Sequence, residues 1–172
     1  KDKLQLKYPT LAIMDVYPAI TKLRAVKSVN EIAELRCAIS STKIGLMAAW
    51  NKMEPGLKEY EIANEFFRAI NDDNEYQGLS FPTILASGSN ACCLHYPTPL
   101  STIKDGDLVL MDLGARYNYY CADVTRTVPA NGKFTKEQRT AYDIVLRCNE
   151  LVASKARPGI TINELQKITV DF

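Results

Sequence analysis

Two aspartates, Asp112 and Asp123, carry the chemistry that stands out in this chain. Asp112 interrupts Leu108-Val109-Leu110-Met111, a run otherwise suited to a strand buried on both faces, where an unpaired carboxylate is disfavoured. Downstream, Tyr119-Tyr120-Cys121-Ala122-Asp123-Val124-Thr125-Arg126-Thr127 reads as the next strand. A hairpin turning at Tyr117-Asn118 makes partner positions sum to 235 and sets Asp112 opposite Asp123. Cβ atoms of such partners lie about 5 Å apart. Like charges at that distance repel, so either the pair shares one proton or a cation sits between them. A divalent metal held by hard oxygen ligands meets the second condition. Taken alone, Asp112 also reads as a strand-end residue capping the turn at Gly114. The facing geometry fails with a one-residue slip of register.

His95, the one histidine, follows the turn-rich Gly88-Ser89-Asn90, in a loop of the kind that displays functional groups. Cys92 and Cys93 lie near it in sequence, so a thiol nucleophile with a histidine base is a further reading, one that requires the side chains to meet in space. Arg126 reads either as an ion-pair partner of one of the acids or as a substrate-binding group. Cys37, Cys121 and Cys148 fall in apolar patterns and read as core.

The elements that must position these groups follow from capping and periodicity. Ser28 with Glu31 forms a capping box, and Ile32, Leu35, Ile39, Leu46 and Ala49 recur at helical spacing as far as Trp50. Pro55-Gly56 breaks the pattern. A second helix runs from about Glu59 to Ile70, with Ile62, Ala63, Phe66, Phe67 and Ile70 as its buried stripe, and Asn71-Asp72-Asp73-Asn74 ends it. Ser80–Ala86, Asp107–Leu113 and about Ala115–Val128 alternate with the period of strands. Thr135 with Gln138 opens a third helix whose stripe is Ala141, Ile144, Val145, Cys148, Leu151 and Val152; Thr161 and Glu164 open a fourth. The expected class is α+β, helices packed on a small antiparallel sheet. Residues 1–20, with Pro9, Pro18 and no clean periodicity, read as a linker or the remnant of a preceding domain.

Composition narrows the function classes. The 172 residues are 47% hydrophobic and 24% charged, which suits one ordinary core and excludes a disordered tail. A net charge of +1, from 21 basic and 20 acidic residues, supplies no global basic field for nucleic acid. No apolar run approaches bilayer length, so no membrane partner is expected. Five cysteines form an odd set without a CxxC pair, which suits reduced thiols and a cytoplasmic location. No signal-peptide pattern follows Lys1, and the absent initiator Met suggests that something upstream has been removed.

These residues resemble a known family. Phe81-Pro82-Thr83-Ile84-Leu85-Ala86-Ser87-Gly88-Ser89-Asn90 with Leu94-His95-Tyr96, then Asp105-Gly106-Asp107 through Gly114-Ala115, is similar to the pita-bread-fold metallopeptidases. Cys121-Ala122-Asp123-Val124-Thr125-Arg126-Thr127 and Gly132-Lys133-Phe134-Thr135 with Gln138-Arg139 extend the likeness. Within that superfamily it is to the Xaa-Pro group, aminopeptidase P and prolidase, and Leu23-Arg24-Ala25-Val26-Lys27-Ser28 with Glu31-Ile32 resembles the start of their catalytic domain. The likeness spans residues 21–172, read as the first half of a pita-bread catalytic domain.

The resemblance implies a pair of divalent metal ions, usually manganese, with cobalt or zinc in some members. Asp112 would be the bidentate ligand and Asp123 the bridging one, and a metal-bound hydroxide would attack the scissile carbonyl of an Xaa-Pro dipeptide or peptide. His95 would contact substrate and help stabilise the tetrahedral intermediate, Ile84 would line the substrate pocket, and the Thr125 hydroxyl would support a ligand. Three further ligands, a His and two Glu, belong to a second half of the fold. No histidine follows His95, so the chain by itself is expected to be a largely inactive fragment. Tyr119 stands where a Gly commonly follows Asn in the hairpin. A half-sheet with an unpaired edge is expected to form a homodimer or to rearrange near that edge. A non-catalytic binding or scaffold protein of the same fold is the alternative.

Overall fold

The side chain of Ser28 accepts a hydrogen bond from the Glu31 amide, while Glu31 accepts one from the Ser28 amide, and a long helix starts there. The computed structural model describes residues 2–72 and 78–172; Asp73 and Asn74, assigned above to a helix end, lie outside them. The helices are α1 (Asp2–Lys7), α2 (Tyr17–Ala25), α3 (Val29–Lys52), α4 (Glu59–Asn71), α5 (Lys136–Lys155) and α6 (Ile162–Asp171). The same reciprocal capping opens α5 at Thr135 with Gln138 and α6 at Thr161 with Glu164. The strands are β1 (Ile84–Ser87), β2 (Leu108–Leu113), β3 (Arg116–Tyr117), β4 (Tyr120–Cys121) and β5 (Val124–Pro129).

Residues 2–25 are more regular than their sequence suggests. Pro18 falls in the first turn of α2, where a missing N–H costs nothing, and Asp15 accepts from the Tyr17 amide.

The core lies between two helices and one face of an antiparallel sheet ordered β1-β2-β5. Val109, Met111 and Leu113 of β2 and Leu85 of β1 are fully buried against Ile62, Phe66 and Ile70 of α4 and Leu46 and Ala49 of α3. The stripe of α3 is narrower than expected: Ala38, Ser41, Thr42, Gly45, Leu46 and Ala49 are buried, whereas Ile32 and Ile39 face solvent. Small residues let α4 approach closely; a Cβ on Gly45 would lie 2.5 Å from the Phe66 ring. Phe67, expected in the α4 stripe, is exposed.

The sequence-derived register is corrected by two. Arg116 pairs with Cys121 and Tyr117 with Tyr120, so the turn is Asn118-Tyr119, both at positive φ (43° and 68°). A two-residue turn with positive φ at both central positions matches the twist of a hairpin, and here those positions are Asn118 and Tyr119 rather than Tyr117 and Asn118. Partner positions therefore sum to 237, and Asp112 pairs with Thr125, with Asp123 two residues beyond. A change of two preserves the face, because side chains alternate with a period of 2. The single strand expected over 115–128 is in fact the short ribbon β3-β4 followed by β5. The ribbon is anchored on α3 by Tyr120 Oη donating to Glu31 and Asn118 Nδ2 donating to Glu34.

The expected burial of α5 is also corrected. Ile144 is 53% and Val145 68% exposed, and no residue of α5 is buried. The helix packs on α6 and is tied back by Gln138 Nε2 donating to the Gly106 carbonyl; Cys148, Leu151 and Val152 of its stripe are half-buried, whereas Ile144 and Val145 stand in solvent. Cys121, expected in the core, is exposed, while Cys37 and Cys148 are half-buried; all five thiols are free.

Candidate functional site

Asp112 sits near the end of β2, on the sheet face turned away from the helices. The end of that strand is firmly held. The Ala115 amide donates to the buried Thr42 hydroxyl, Ser80 Oγ donates to the Ala115 carbonyl, and the Ser80 amide donates to the Gly114 carbonyl. A side chain at Gly114 would collide with the carbonyl of Ala122, so glycine there lets the chain fold back beside the residue that precedes Asp123. Thr125, the cross-strand partner of Asp112, donates its hydroxyl to Asp112 Oδ1 at 2.7 Å. On the other side, Asp112 pairs with Ile84.

An open cleft of about 530 Å³ brings these groups together: Phe81, Pro82, Ile84, His95, Pro97, Asp112 and Asp123 all line it. The two carboxylates are thus not directly opposed in register, yet they share one cleft with the only histidine. A larger cavity of about 780 Å³ between α2, α3 and the ribbon contains Arg24, Lys27 and Glu31 and no pair of carboxylates, so chemistry rather than volume selects the smaller cleft.

Other candidates disperse. Neither Cys92 nor Cys93 lines the cleft that receives His95. Arg126 pairs with Met111 in register, so it belongs to the opposite sheet face from Asp112, and its guanidinium donates to the Thr125 carbonyl. Among the described residues no three of His, Cys, Asp and Glu converge as a metal-binding group. Asp112 and Asp123 therefore offer hard carboxylate oxygens that fit part of a divalent-cation shell.

Sequence reasoning missed Glu59. This side chain is fully buried at the first turn of α4. Burial pushes its carboxyl up, but hydrogen bonds from the Asn90 side chain, the Ser87 side chain and the Ser87 and Ser101 amides outweigh that and hold it below the ordinary carboxylate range. The signal was present: Glu59 precedes Ile62, Ala63 and Phe66 by three, four and seven residues, so it stands on the apolar stripe of its own helix.

Comparison with known proteins decides the family, since metallopeptidase family M24 matches residues 33–172. The chain belongs to metallopeptidase family M24. It is 41% identical over 153 residues to the Xaa-Pro aminopeptidase of Escherichia coli (strain K12), covering 89% of this chain and 34% of that protein. The Xaa-Pro dipeptidase of Mus musculus is 32% identical over 157 residues, covering 89% and 32%. The chain thus spans about a third of the length of the relatives it matches. Among solved structures, a Bacillus anthracis protein assigned as an aminopeptidase P superposes with a TM-score of 0.91 at 35% identity, covering 99% of this chain and 41% of that one. A zinc-substituted E. coli aminopeptidase P in complex with product superposes at 0.87 with 41% identity, covering 91% and 36%. The expected α+β class and the half pita-bread architecture stand.

Proposed function

We propose that this chain supplies the first half of the site of a metal-dependent peptidase that cleaves Xaa-Pro dipeptides or releases the N-terminal residue of Xaa-Pro peptides. One observation carries the reading: in a member of family M24, Asp112, Asp123 and His95 line a single cleft. Asp112 and Asp123 would hold a pair of divalent cations, manganese foremost, with cobalt or zinc as alternatives. When bound, the metals raise the acidity of a water and polarise the scissile carbonyl. The chain's own residues do the rest. Phe81, Ile84 and Pro97 offer an apolar wall to a proline ring. His95 donates a hydrogen bond to the substrate as negative charge develops. Thr125 fixes the Asp112 carboxylate in one orientation.

In this reading residues 21–172 are the first half of the catalytic domain and residues 1–20 a connector. A His and two Glu from further chain complete the ligand set, so the chain alone turns over little substrate. The free thiols suit the reducing cytoplasm. The retained carboxylates favour a peptidase over a non-catalytic scaffold.

The test compares hydrolysis of an Xaa-Pro dipeptide, with added manganese, by this chain and by a longer product of the same gene. The expected result is activity only in the longer protein, abolished by chelator and by Asp112→Asn or Asp123→Asn. Equal turnover by both would show that the additional ligands are unnecessary and overturn the mechanism.

A further inference from the structure

Glu59 is a buried carboxylate with no cation beside it among the described residues, and that costs free energy unless every lone pair is satisfied. Its oxygens accept five hydrogen bonds. Oε1 takes the Ser87 amide (2.8 Å), the Ser87 hydroxyl (2.8 Å) and Asn90 Nδ2 (2.9 Å). Oε2 takes the Tyr96 hydroxyl (3.1 Å) and the Ser101 amide (3.1 Å). All five donors belong to the segment 87–101, and they include both of its ends. Asn90 Nδ2 also reaches Tyr96 Oη (3.0 Å) and Ser101 Oγ (2.9 Å), closing a network round the carboxylate. Backbone holds the two ends, Ser87 pairing with Val109 in the sheet and the Ser101 carbonyl accepting from the Glu59 amide (3.0 Å); between them the backbone bonds Cys93 to Asn90 and Leu100 to Thr98 are local, which leaves the orientation of the middle to the side-chain network.

His95 rides on this segment, one residue from Tyr96, and is itself exposed. A core helix thus reaches the cleft through one carboxylate and one tyrosine. We propose that Glu59 is a positioning residue, which through Tyr96, Asn90, Ser87 and Ser101 holds the 87–101 segment so that His95 faces the cleft shared with Asp112 and Asp123. The inference rests on the peptidase reading only for what His95 does there, not for how it is held. An amide at Glu59 cannot accept on both ends, so one set of donors, the Ser101 amide or the Ser87 amide, loses its acceptor.

Because His95 is the only histidine, its imidazole Cε1–H gives a single proton NMR signal in the full 172-residue chain. The signal is compared among the wild type, Glu59→Gln, Tyr96→Phe and the control Ile62→Val. Ile62→Val loosens the core of the same helix without touching the network. The expected result is that Glu59→Gln and Tyr96→Phe move or split the His95 signal, Glu59→Gln more strongly, while Ile62→Val lowers the melting temperature and leaves the signal in place. An unmoved signal in Tyr96→Phe, or an equal shift in Ile62→Val, would overturn the proposal. If Glu59→Gln does not fold, Tyr96→Phe decides. In a longer, active product, Tyr96→Phe should lower kcat, by up to about 100-fold, with KM little changed. A shifted signal in this chain together with no Xaa-Pro turnover by the longer product would defeat the peptidase reading and leave the positioning role intact.

Discussion

Thr125 shows how much rests on one hydroxyl. It pairs with Asp112 across the ladder and donates to Oδ1, so one oxygen of a carboxylate that lines the cleft is held by a neighbouring strand. Supporting hydrogen bonds of this sort orient a ligand and raise its basicity. Thr125→Val keeps the shape and removes the donor. It should weaken manganese binding about tenfold, as read by calorimetric titration, with the melting temperature little changed. Affinity equal to that of the wild type would mean that the hydroxyl is incidental to the site. At this scale the sequence was most legible. Asp112, Asp123 and His95 stood out by their types and surroundings, and Ile84 and Thr125 by the family resemblance; all but Thr125 line the cleft, and Thr125 hydrogen-bonds Asp112 there. Glu59 stood on an apolar stripe, but its four partner residues lie 28 to 42 positions away, so no local pattern showed what would satisfy it there.

The hairpin is the element on which the site turns. The ribbon and β5 share one register, partner positions summing to 237 in both, so the Asn118-Tyr119 turn governs what stands opposite Asp112. Tyr119 holds φ 68° while its side chain is 90% exposed, so the strained backbone is not offset by burial. An L-residue in that region costs roughly 1–2 kcal/mol, and glycine recovers most of it at some cost in unfolded-chain entropy. Tyr119→Gly should therefore stabilise the chain by about 0.5–1 kcal/mol in thermal unfolding followed by circular dichroism. Destabilisation would show that the tyrosine makes a contact worth more than its strain. The expected turn one residue earlier put the two aspartates face to face; the observed one offsets them but keeps them on one face, since only an odd slip changes sides.

For the molecule as a whole, the unburied surface is as telling as the core. The helix-facing side of the sheet is filled, whereas the other side carries Ile84, Leu110 and Thr127 only half-buried beside the aspartates. Part of the apolar stripe of α5 is open as well, with Ile144 and Val145 exposed and Leu146 beside them. β1 and β5 are both sheet edges. Apolar faces and free edges of this kind favour association. At high concentration the chain should scatter light as a homodimer, with the apparent mass falling on dilution; a monomer at every concentration would mean that these surfaces tolerate water.

Local physics made the helices readable. Ser28-Glu31, Thr135-Gln138 and Thr161-Glu164 each satisfy free amides within four residues, so the starts of α3, α5 and α6 needed no knowledge of the rest of the chain. The buried stripe of α4 was equally plain, because a period of 3.6 is written in consecutive residues. Three things were left to the tertiary structure: the register, the covering of α5 and the burial of Glu59. Each depends on what a segment meets far along the chain, and amphipathic spacing states that a face is apolar without stating that anything lies against it. A carboxylate at the first turn of a helix reads as a solvated cap until a distant loop closes over it and makes it the anchor.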